Sequence, residues 1–305
     1  MIPADWLWIP VTVAAALAQT LRNAAQKNLT ARLGTLGATL VRFLYGLPFA
    51  ALWLLAVQGF ERAPLPPAEA GFAGWVLLGA VSQIAGTAFL LRAIAERNFT
   101  LGIAYSKSEI IQVAVFGLAF LGDPLSPLSI AAMVTGTLGV LLLSPADPHR
   151  PLRSLLYGMR SRAALLGLAS GGGFALSAVG YRGAALALPD ASFLLAAACT
   201  LLAAQTLQTL LLGGWLLLRR LAVLLEVLRA WRASLFAGLM GATASAGWFT
   251  AVAIEPAAHV RTLGLIELVF AWLLSRRLYR EQLTSREFAG LLLLCLGLVS
   301  ITLTR

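Results

Sequence analysis

Residues 101–126 read LGIAYSKSEIIQVAVFGLAFLGDPLS, and residues 259–284 read HVRTLGLIELVFAWLLSRRLYREQLT. The two stretches align without a gap at a shift of 158 residues (267 minus 109), which places Glu109 on Glu267. Each stretch predicts an apolar helix with one carboxylate near its middle. An acid inside a membrane helix costs roughly 2.5–3.5 kcal/mol on insertion scales. Its occurrence twice, at equivalent positions, indicates that the acid serves a function.

The composition is that of a membrane protein. Of the 305 residues, 59% are hydrophobic and 12% are charged, and the mean hydropathy is +0.84. A soluble domain would be about 25% charged. The apolar runs are long and do not alternate as spanning strands do, so the sequence predicts an all-α polytopic membrane protein. The net charge of +10 does not predict nucleic-acid binding, because the arginines are dispersed in short loops between apolar runs.

Ten apolar segments are long enough, at 1.5 Å per residue, to cross about 30 Å of hydrocarbon. They are predicted at Trp6–Gln26, Thr35–Ala56, Gly71–Leu91, Thr100–Leu121, Pro127–Leu143, Ala163–Tyr181, Ser192–Leu217, Leu235–Ala253, His259–Leu278 and Glu287–Leu303. A polar connector divides them into a first five-helix repeat over residues 1–144, the connector itself over 145–162, and a second five-helix repeat over 163–305.

The two repeats are expected to be inverted. The 158-residue shift also places Asp123 on Glu281 and Gly139 on Gly297. Because each repeat has an odd number of spans, the second must enter the membrane from the opposite side. Inverted repeats are typical of secondary transporters, whose substrate sites lie near the membrane midplane at the repeat interface.

The distribution of cations predicts the orientation. The loops after the odd-numbered spans hold about four times as many lysines and arginines as the opposite side, to which Arg62, Arg182, Arg261 and Arg305 are assigned. The cation-rich loops should face the cytoplasm and both termini the outside, in a bacterial inner membrane. Within one cation-rich loop, Leu221–Arg232 is expected to form an amphipathic helix on the membrane surface.

Two turns carry a resemblance to a known family. They are Gly122-Asp123-Pro124-Leu125-Ser126, followed by Gly139, and Arg280-Glu281-Gln282-Leu283-Thr284, followed by Gly290 and Gly297. With the five-plus-five pattern and the polar fourth helix, the chain resembles EamA-type members of the drug/metabolite transporter superfamily over nearly its whole length. The one departure is Gly-Asp where the family's first turn has Gly-Glu. The resemblance implies an exporter of amino acids, their derivatives or other small metabolites.

Polar residues inside the predicted spans are the candidate substrate site. They are Gln19, Arg22, Arg42, Gln83, Tyr105, Lys107, Glu109, Gln112 and Glu267. Glu109 and Glu267 are also the candidates for proton coupling, because burial can raise a glutamate's pKa towards neutrality. Lys107 and Glu109 are two residues apart, about 200° round a helix, so Lys107 is expected to pair with another helix. Counted together, Arg22, Arg42 and Lys107 outnumber the two acids, which favours a substrate bearing a carboxylate or phosphate.

The same residues have other interpretations. Arg42 could reach the outer interface by snorkelling, and the glutamines could serve only in helix packing. The four deeper charges, Arg22, Lys107, Glu109 and Glu267, could form a static ion network. His149 and His259 lie at predicted span ends and are expected to be solvated. Weaker candidates on the seventh span are Gln205, Thr206 and Gln208.

The leading functional hypothesis is a secondary active transporter, with no cofactor or metal, of a small polar metabolite such as an amino acid. The alternative is an uptake carrier or flippase for a larger amphiphile, such as a flavin or a lipid-linked compound. An embedded enzyme is disfavoured, because no span carries H-E-x-x-H, G-x-S-x-G or paired aspartates. The expected partners are the small-molecule substrate and the lipid bilayer, with the chain as a monomer or weak homodimer.

Overall fold

The structure, a computed structural model, describes residues 6–67, 69–95, 105–143, 161–270, 273 and 285–303. Of these residues 88% are helical and none lies in a strand, so the prediction of a helical chain is confirmed. The acidic turn at Glu281, residue His149 and most of the predicted connector lie outside the described residues.

The described helices follow one another with short connections. They are α1 (Trp8–Leu44), α2 (Leu47–Glu61), α3 (Ala70–Ala95), α4 (Glu109–Leu121), α5 (Pro127–Leu143), α6 (Arg162–Leu186), α7 (Phe193–Arg219), α8 (Leu221–Arg229), α9 (Trp231–Ile254), α10 (Ala257–Leu263) and α11 (Ser285–Thr302). Residues 266–270 form a further helical turn after α10.

Several of these helices are suited to a membrane. Five helical stretches are long and apolar enough to cross one, namely Leu29–Glu61, Ala70–Ala93, Arg162–Leu186, Phe193–Arg219 and Trp231–Ile254. The shorter apolar helices are Glu109–Leu121, Pro127–Leu142 and Phe288–Thr302. These lengths are compatible with an integral membrane protein, as the composition predicts.

The second predicted span, Thr35–Ala56, is interrupted. Helix α1 ends at Leu44 and α2 begins at Leu47, with Pro48 in the first turn of α2. Proline has no N–H, and in a continuous helix its ring would clash with the carbonyl of Leu44, so the helix must restart there. Gly34, with φ of 67°, breaks α1 between the first and second predicted spans.

Two helix starts are fixed by serine caps. The Ser126 hydroxyl accepts a hydrogen bond from the backbone N–H of Ser129 at 3.0 Å, at the start of α5. The Ser192 hydroxyl accepts one from the N–H of Leu195 at 3.0 Å, at the start of α7. Each cap satisfies a backbone donor that the helix itself leaves without a partner.

The first compact unit comprises Met1–Val81 and Gly180–Glu255, so it draws on both halves of the chain. In it α1 packs along α9 and α2 along α7. A methyl group placed on Gly247 of α9 would lie 2.7 Å from the Cβ of Ala15, so these two helices approach closely.

The second compact unit comprises Ser82–Val179 and Pro256–Arg305, again from both halves. A methyl group on Gly173 of α6 would lie 2.6 Å from the Cα of Gly86 in α3. A methyl group on Gly297 of α11 would lie 2.6 Å from the backbone nitrogen of Gly136 in α5. Small residues at these crossings let the backbones touch, which is how helices associate in lipid.

Candidate functional site

Two helices of the second unit are interrupted near their glutamates. Residues 105–106 are helical, residues 107–108 form a turn, and α4 begins at Glu109. In the second half, α10 ends at Leu263, residues 264–265 form a turn, and the helix resumes over 266–270. The predicted spans four and nine are therefore not continuous helices.

The backbone tightens at both interruptions. The N–H of Ser108 donates to the carbonyl of Tyr105 at 3.1 Å, and the N–H of Glu267 donates to the carbonyl of Gly264 at 3.1 Å. These bonds span three residues instead of four, as in a 3₁₀ turn, and such a turn inside a helix often marks a functional hinge. No proline causes either break, so the sequence gives no direct signal for them.

Each interruption places a carboxylate at the start of a helix. Glu109 is the first residue of α4, and Glu267 is the second residue of the turn at 266–270. The free backbone N–H groups at a helix start carry partial positive charge, which stabilises a nearby carboxylate. Interrupted helices of this kind form the ion and substrate sites of many transporters.

Glu109 is held tightly by a cation that the sequence analysis assigned to the outer loops. The Nε of Arg261 donates to Glu109 Oε1 at 2.7 Å, and its Nη2 contacts the same oxygen. The exposed side-chain fractions are 27% for Arg261 and 13% for Glu109. The assignment of Arg261 to an external loop missed this role, because helix α10 places it three residues before the break at Gly264.

Glu267 is held more loosely. The Nζ of Lys107 lies 3.8 Å from Glu267 Oε1, which is beyond the length of a hydrogen bond and leaves a Coulombic contact. Their exposed side-chain fractions are 26% and 23%. The prediction that Lys107 pairs with another helix, not with Glu109, is confirmed.

The four charges are exchanged between the two halves of the chain. The first-half acid Glu109 binds the second-half Arg261, and the second-half acid Glu267 contacts the first-half Lys107. The cluster holds two acids and two cations. The balance of charge within the second unit therefore differs from the cation excess counted over the whole chain.

Polar contacts brace the first interruption against α6. Gln112 donates from Nε2 to the Ser108 hydroxyl at 2.7 Å and to the carbonyl of Leu168 at 3.2 Å. A methyl group on Gly172 would lie 2.8 Å from Gln112 Oε1, so glycine leaves room for this amide. The donors of Gln112 are therefore engaged in packing, the second of the two interpretations that the sequence left open.

His259 is buried, so the prediction of a solvated side chain is wrong. Its Nε2 lies 2.9 Å from the hydroxyl of Ser129, which in turn lies 2.9 Å from the hydroxyl of Ser126. His259 is 6% exposed and Ser129 is fully buried. The reason is that α10 begins at Ala257, before the predicted span, and carries His259 into the packed part of the second unit.

The other predicted site residues fall into two groups. Gln19, Arg22 and Arg42 belong to the first unit, whereas Gln83 and Tyr105 belong to the second with the charge cluster. Gln19 accepts a 3.0 Å hydrogen bond from the Trp248 indole. Gln83 and Tyr105 are both half-buried.

The two arginines of the first unit lie in different surroundings. Arg22 is buried and donates from Nη2 to the Asn23 side chain at 2.7 Å. Arg42 is half-buried, with its guanidinium 5.4 Å from the centre of the Phe43 ring. A methyl group on Gly241 would lie 3.4 Å from the side chains of both arginines, so α9 passes close to each.

Gln205 is the polar residue that sequence reasoning ranked too low. It is 3% exposed, and neither its Nε2 nor its Oε1 has a hydrogen-bond partner among the described residues. Its neighbour Gln208 donates to the Tyr181 hydroxyl at 2.9 Å. The signal available in the sequence was a second glutamine, three residues away, inside an apolar run.

Comparison with known proteins extends the fold and nothing more. No family model matches the chain, and no curated protein sequence matches it. A solved crystal structure of a protein superposes with a TM-score of 0.67 at 14% sequence identity, over 98% of this chain and 96% of that one. The likeness therefore covers the helical fold over nearly the whole of both chains. The resemblance to EamA-type transporters stays a prediction from the sequence.

Proposed function

We propose that this chain is a secondary active transporter, an exporter of a small polar metabolite such as an amino acid or a derivative. The observation that carries the proposal is the pair of interrupted helices, each with a glutamate at the helix start and a cation within reach. Discontinuous helices with charged groups at their ends are the usual construction of transporter sites. A purely structural core would gain little from four charges that remain partly exposed.

The proposed mechanism assigns each charge to a step. Arg261 and Lys107 attract the anionic end of the substrate, and Glu109 and Glu267 receive its amine or a proton. A carboxylate can change its charge as the cavity opens to one side and then to the other. Proton movement would then drive export by alternating access.

An inverted-repeat architecture of ten spans is part of the proposal. The helix contact between Gly136 and Gly297 supports it, because the 158-residue shift converts this pair into Leu294 and Gly139. Gly139 and Leu294 do approach each other, since a methyl group on Gly139 would lie 2.5 Å from the Leu294 backbone nitrogen. A two-fold axis between α5 and α11 would relate the two contacts.

The proposed location is the inner membrane of a bacterium with both termini outside, in an EamA-type member of the drug/metabolite transporter superfamily. A C-terminal phosphatase fusion should then be active and a C-terminal fluorescent fusion dark. A bright C-terminal fluorescent fusion would reverse the orientation.

The decisive experiment measures transport in proteoliposomes. Vesicles loaded with labelled amino acids, and others loaded with riboflavin, are given an inward or outward pH gradient. Gradient-dependent flux of an amino acid, with a matching pH change reported by a trapped dye, supports the proposal. Flux of riboflavin alone would favour the larger-amphiphile alternative, and gradient-independent leakage of every probe would reject secondary transport. Glu69→Gln, at an exposed loop position, is the matched control for variants of the two site glutamates.

A further inference from the structure

Helix α8 lies between the ends of two helices that are each long enough to cross a membrane. Phe193–Arg219 ends immediately before it, and Trp231–Ile254 begins immediately after it. With nine residues, α8 is about 13 Å long, too short to cross about 30 Å of hydrocarbon. A helix so placed must lie at the membrane surface.

One face of α8 is fixed to the protein. A methyl group on Gly37 of α1 would lie 3.2 Å from Val223 and 3.3 Å from Val227. Val227 is fully buried, and its carbonyl accepts a 3.0 Å hydrogen bond from the Tyr45 hydroxyl. These contacts set the rotation of α8 about its axis.

The opposite face of α8 is apolar and exposed. Leu221, Leu225 and Leu228 recur at four and three residues, so they form one row, and each is at least 41% exposed. Trp231 continues the surface and is 48% exposed. An amphipathic helix of this kind buries its leucines at the boundary between headgroups and acyl chains.

Arginines stand at both ends of this row. Arg219 and Arg220 precede the helix, and Arg229 and Arg232 follow or end it, all four exposed. The Arg232 guanidinium lies 5.2 Å from the centre of the Trp231 ring. Across residues 219–232 the one acid is Glu226, so the surface is strongly cationic next to an apolar strip.

We propose that α8 and its four flanking arginines bind the headgroup of an anionic phospholipid. The phosphate would be held by the guanidinium groups, which match its oxygen geometry. The acyl chains would lie against the row of Leu221, Leu225 and Leu228. The proposed ligand is a lipid and not free phosphate, because the leucine row provides apolar contact that inorganic phosphate cannot use.

The test uses the purified full-length chain in a neutral detergent. It is titrated with a short-chain phosphatidylglycerol and, separately, with a phosphatidylcholine of the same chain length, and bound lipid is counted by native mass spectrometry. Phosphatidylglycerol should bind more tightly, and the preference should weaken as salt is raised. Equal binding of the two lipids would overturn the proposal.

Three variants locate the site. Arg220→Gln with Arg229→Gln should weaken phosphatidylglycerol binding by about fivefold for each arginine removed. The control pair, Arg92→Gln with Arg162→Gln, removes two exposed arginines at other helix ends and should leave binding unchanged. Equal losses in both pairs would show a general charge effect and reject a site on α8.

The third variant separates a lipid from a simple anion. Leu225→Ser with Leu228→Ser should weaken phosphatidylglycerol binding without affecting competition by inorganic phosphate. An unaltered affinity for the lipid, or displacement of the lipid by millimolar phosphate, would assign the arginines to free anions and overturn the lipid site. Both leucines are exposed, so the unfolding temperature should stay close to that of the parent chain.

Discussion

The surroundings of Glu109 and Glu267 differ although the two acids are equivalent by the 158-residue shift. Glu109 accepts a 2.7 Å hydrogen bond from Arg261, whereas Glu267 lies 3.8 Å from the nearest oxygen-to-nitrogen contact with Lys107. A guanidinium has a rigid set of donors and binds carboxylate directionally, but an ammonium on a flexible chain acts as a point charge. Glu267 is therefore the acid whose charge can change with less structural rearrangement.

The backbone next to the two acids differs in the same direction. Gln112 and Ser108 brace the first interruption with a 2.7 Å hydrogen bond. The shift places Phe270 at the position of Gln112 and Ile266 at the position of Ser108, so the second interruption has apolar side chains there. The comparison indicates a division of labour, in which Glu109 holds the site together and Glu267 exchanges a proton or a ligand.

The largest expected effect is on stability, in Arg261→Gln. The change leaves Glu109 without its cation, and we expect a loss of about 2 kcal/mol in the free energy of unfolding. A fully buried pair would lose roughly 3–5 kcal/mol, but both side chains here keep some solvent contact. Thermal unfolding of the purified chain measures the loss. Adding Glu109→Gln to the same chain should recover most of it, and a double variant no better than Arg261→Gln would remove the tight pair from the comparison.

The next effect is on transport, in Glu267→Gln. The amide keeps the shape of the side chain but cannot carry a proton, so flux should fall at least about tenfold, equivalent to roughly 1.4 kcal/mol. The unfolding temperature should change little, because the contact with Lys107 is long. Proteoliposome flux across a range of pH, with thermal unfolding alongside, measures both. Normal flux with an unchanged pH profile would end the proton-carrier hypothesis for Glu267, and a stability loss equal to that of Glu109→Gln would erase the difference between the acids.

A smaller effect is expected at the brace, in Gln112→Leu. The Ser108 hydroxyl and the Leu168 carbonyl each lose a donor, which should lower the free energy of unfolding by about 1 kcal/mol. Phe270→Leu is the matched control at the equivalent position of the second interruption and makes no such bond to lose. Equal losses in the two variants, by thermal or denaturant unfolding, would show that the polar brace does not distinguish the two breaks.

The smallest effect is expected in Lys107→Gln. A partly exposed ion pair without a hydrogen bond contributes about 0–1 kcal/mol, so stability should fall by less than 1 kcal/mol and less than in Arg261→Gln. The residual effect should shrink as salt is added, because exposed charges are screened. A loss as large as that of Arg261→Gln would mean that Lys107 and Glu267 form a structural pair after all.

Much of the architecture follows from the sequence through local physics. Apolar length predicts helices, and Ser126 and Ser192 mark helix starts that the structure confirms by their hydrogen bonds. The position of Leu221–Arg229 as a separate helix also follows from its pattern of leucines and arginines. Helical geometry excluded a pair between Lys107 and Glu109, because residues two apart point to different sides.

The interruptions could not be predicted in this way. Neither residues 107–108 nor residues 264–265 contain proline, and both lie inside continuous apolar runs. A helix is broken there because tertiary contacts replace the backbone bonds that are lost, as Ser108 does by donating to the carbonyl of Tyr105 at 2.6 Å. Local propensity carries no record of such compensation.

The sequence by itself determined the helical class, the two equivalent glutamates and the absence of an intrahelical partner for Lys107. The tertiary structure alone decided that Arg261 binds Glu109, that His259 is buried against Ser129, and that the two acids have unlike surroundings. The physical reason is the distance along the chain. Arg261 and Glu109 are 152 residues apart, and the periodicity of a helix fixes which side a residue faces but not which other helix packs against that side.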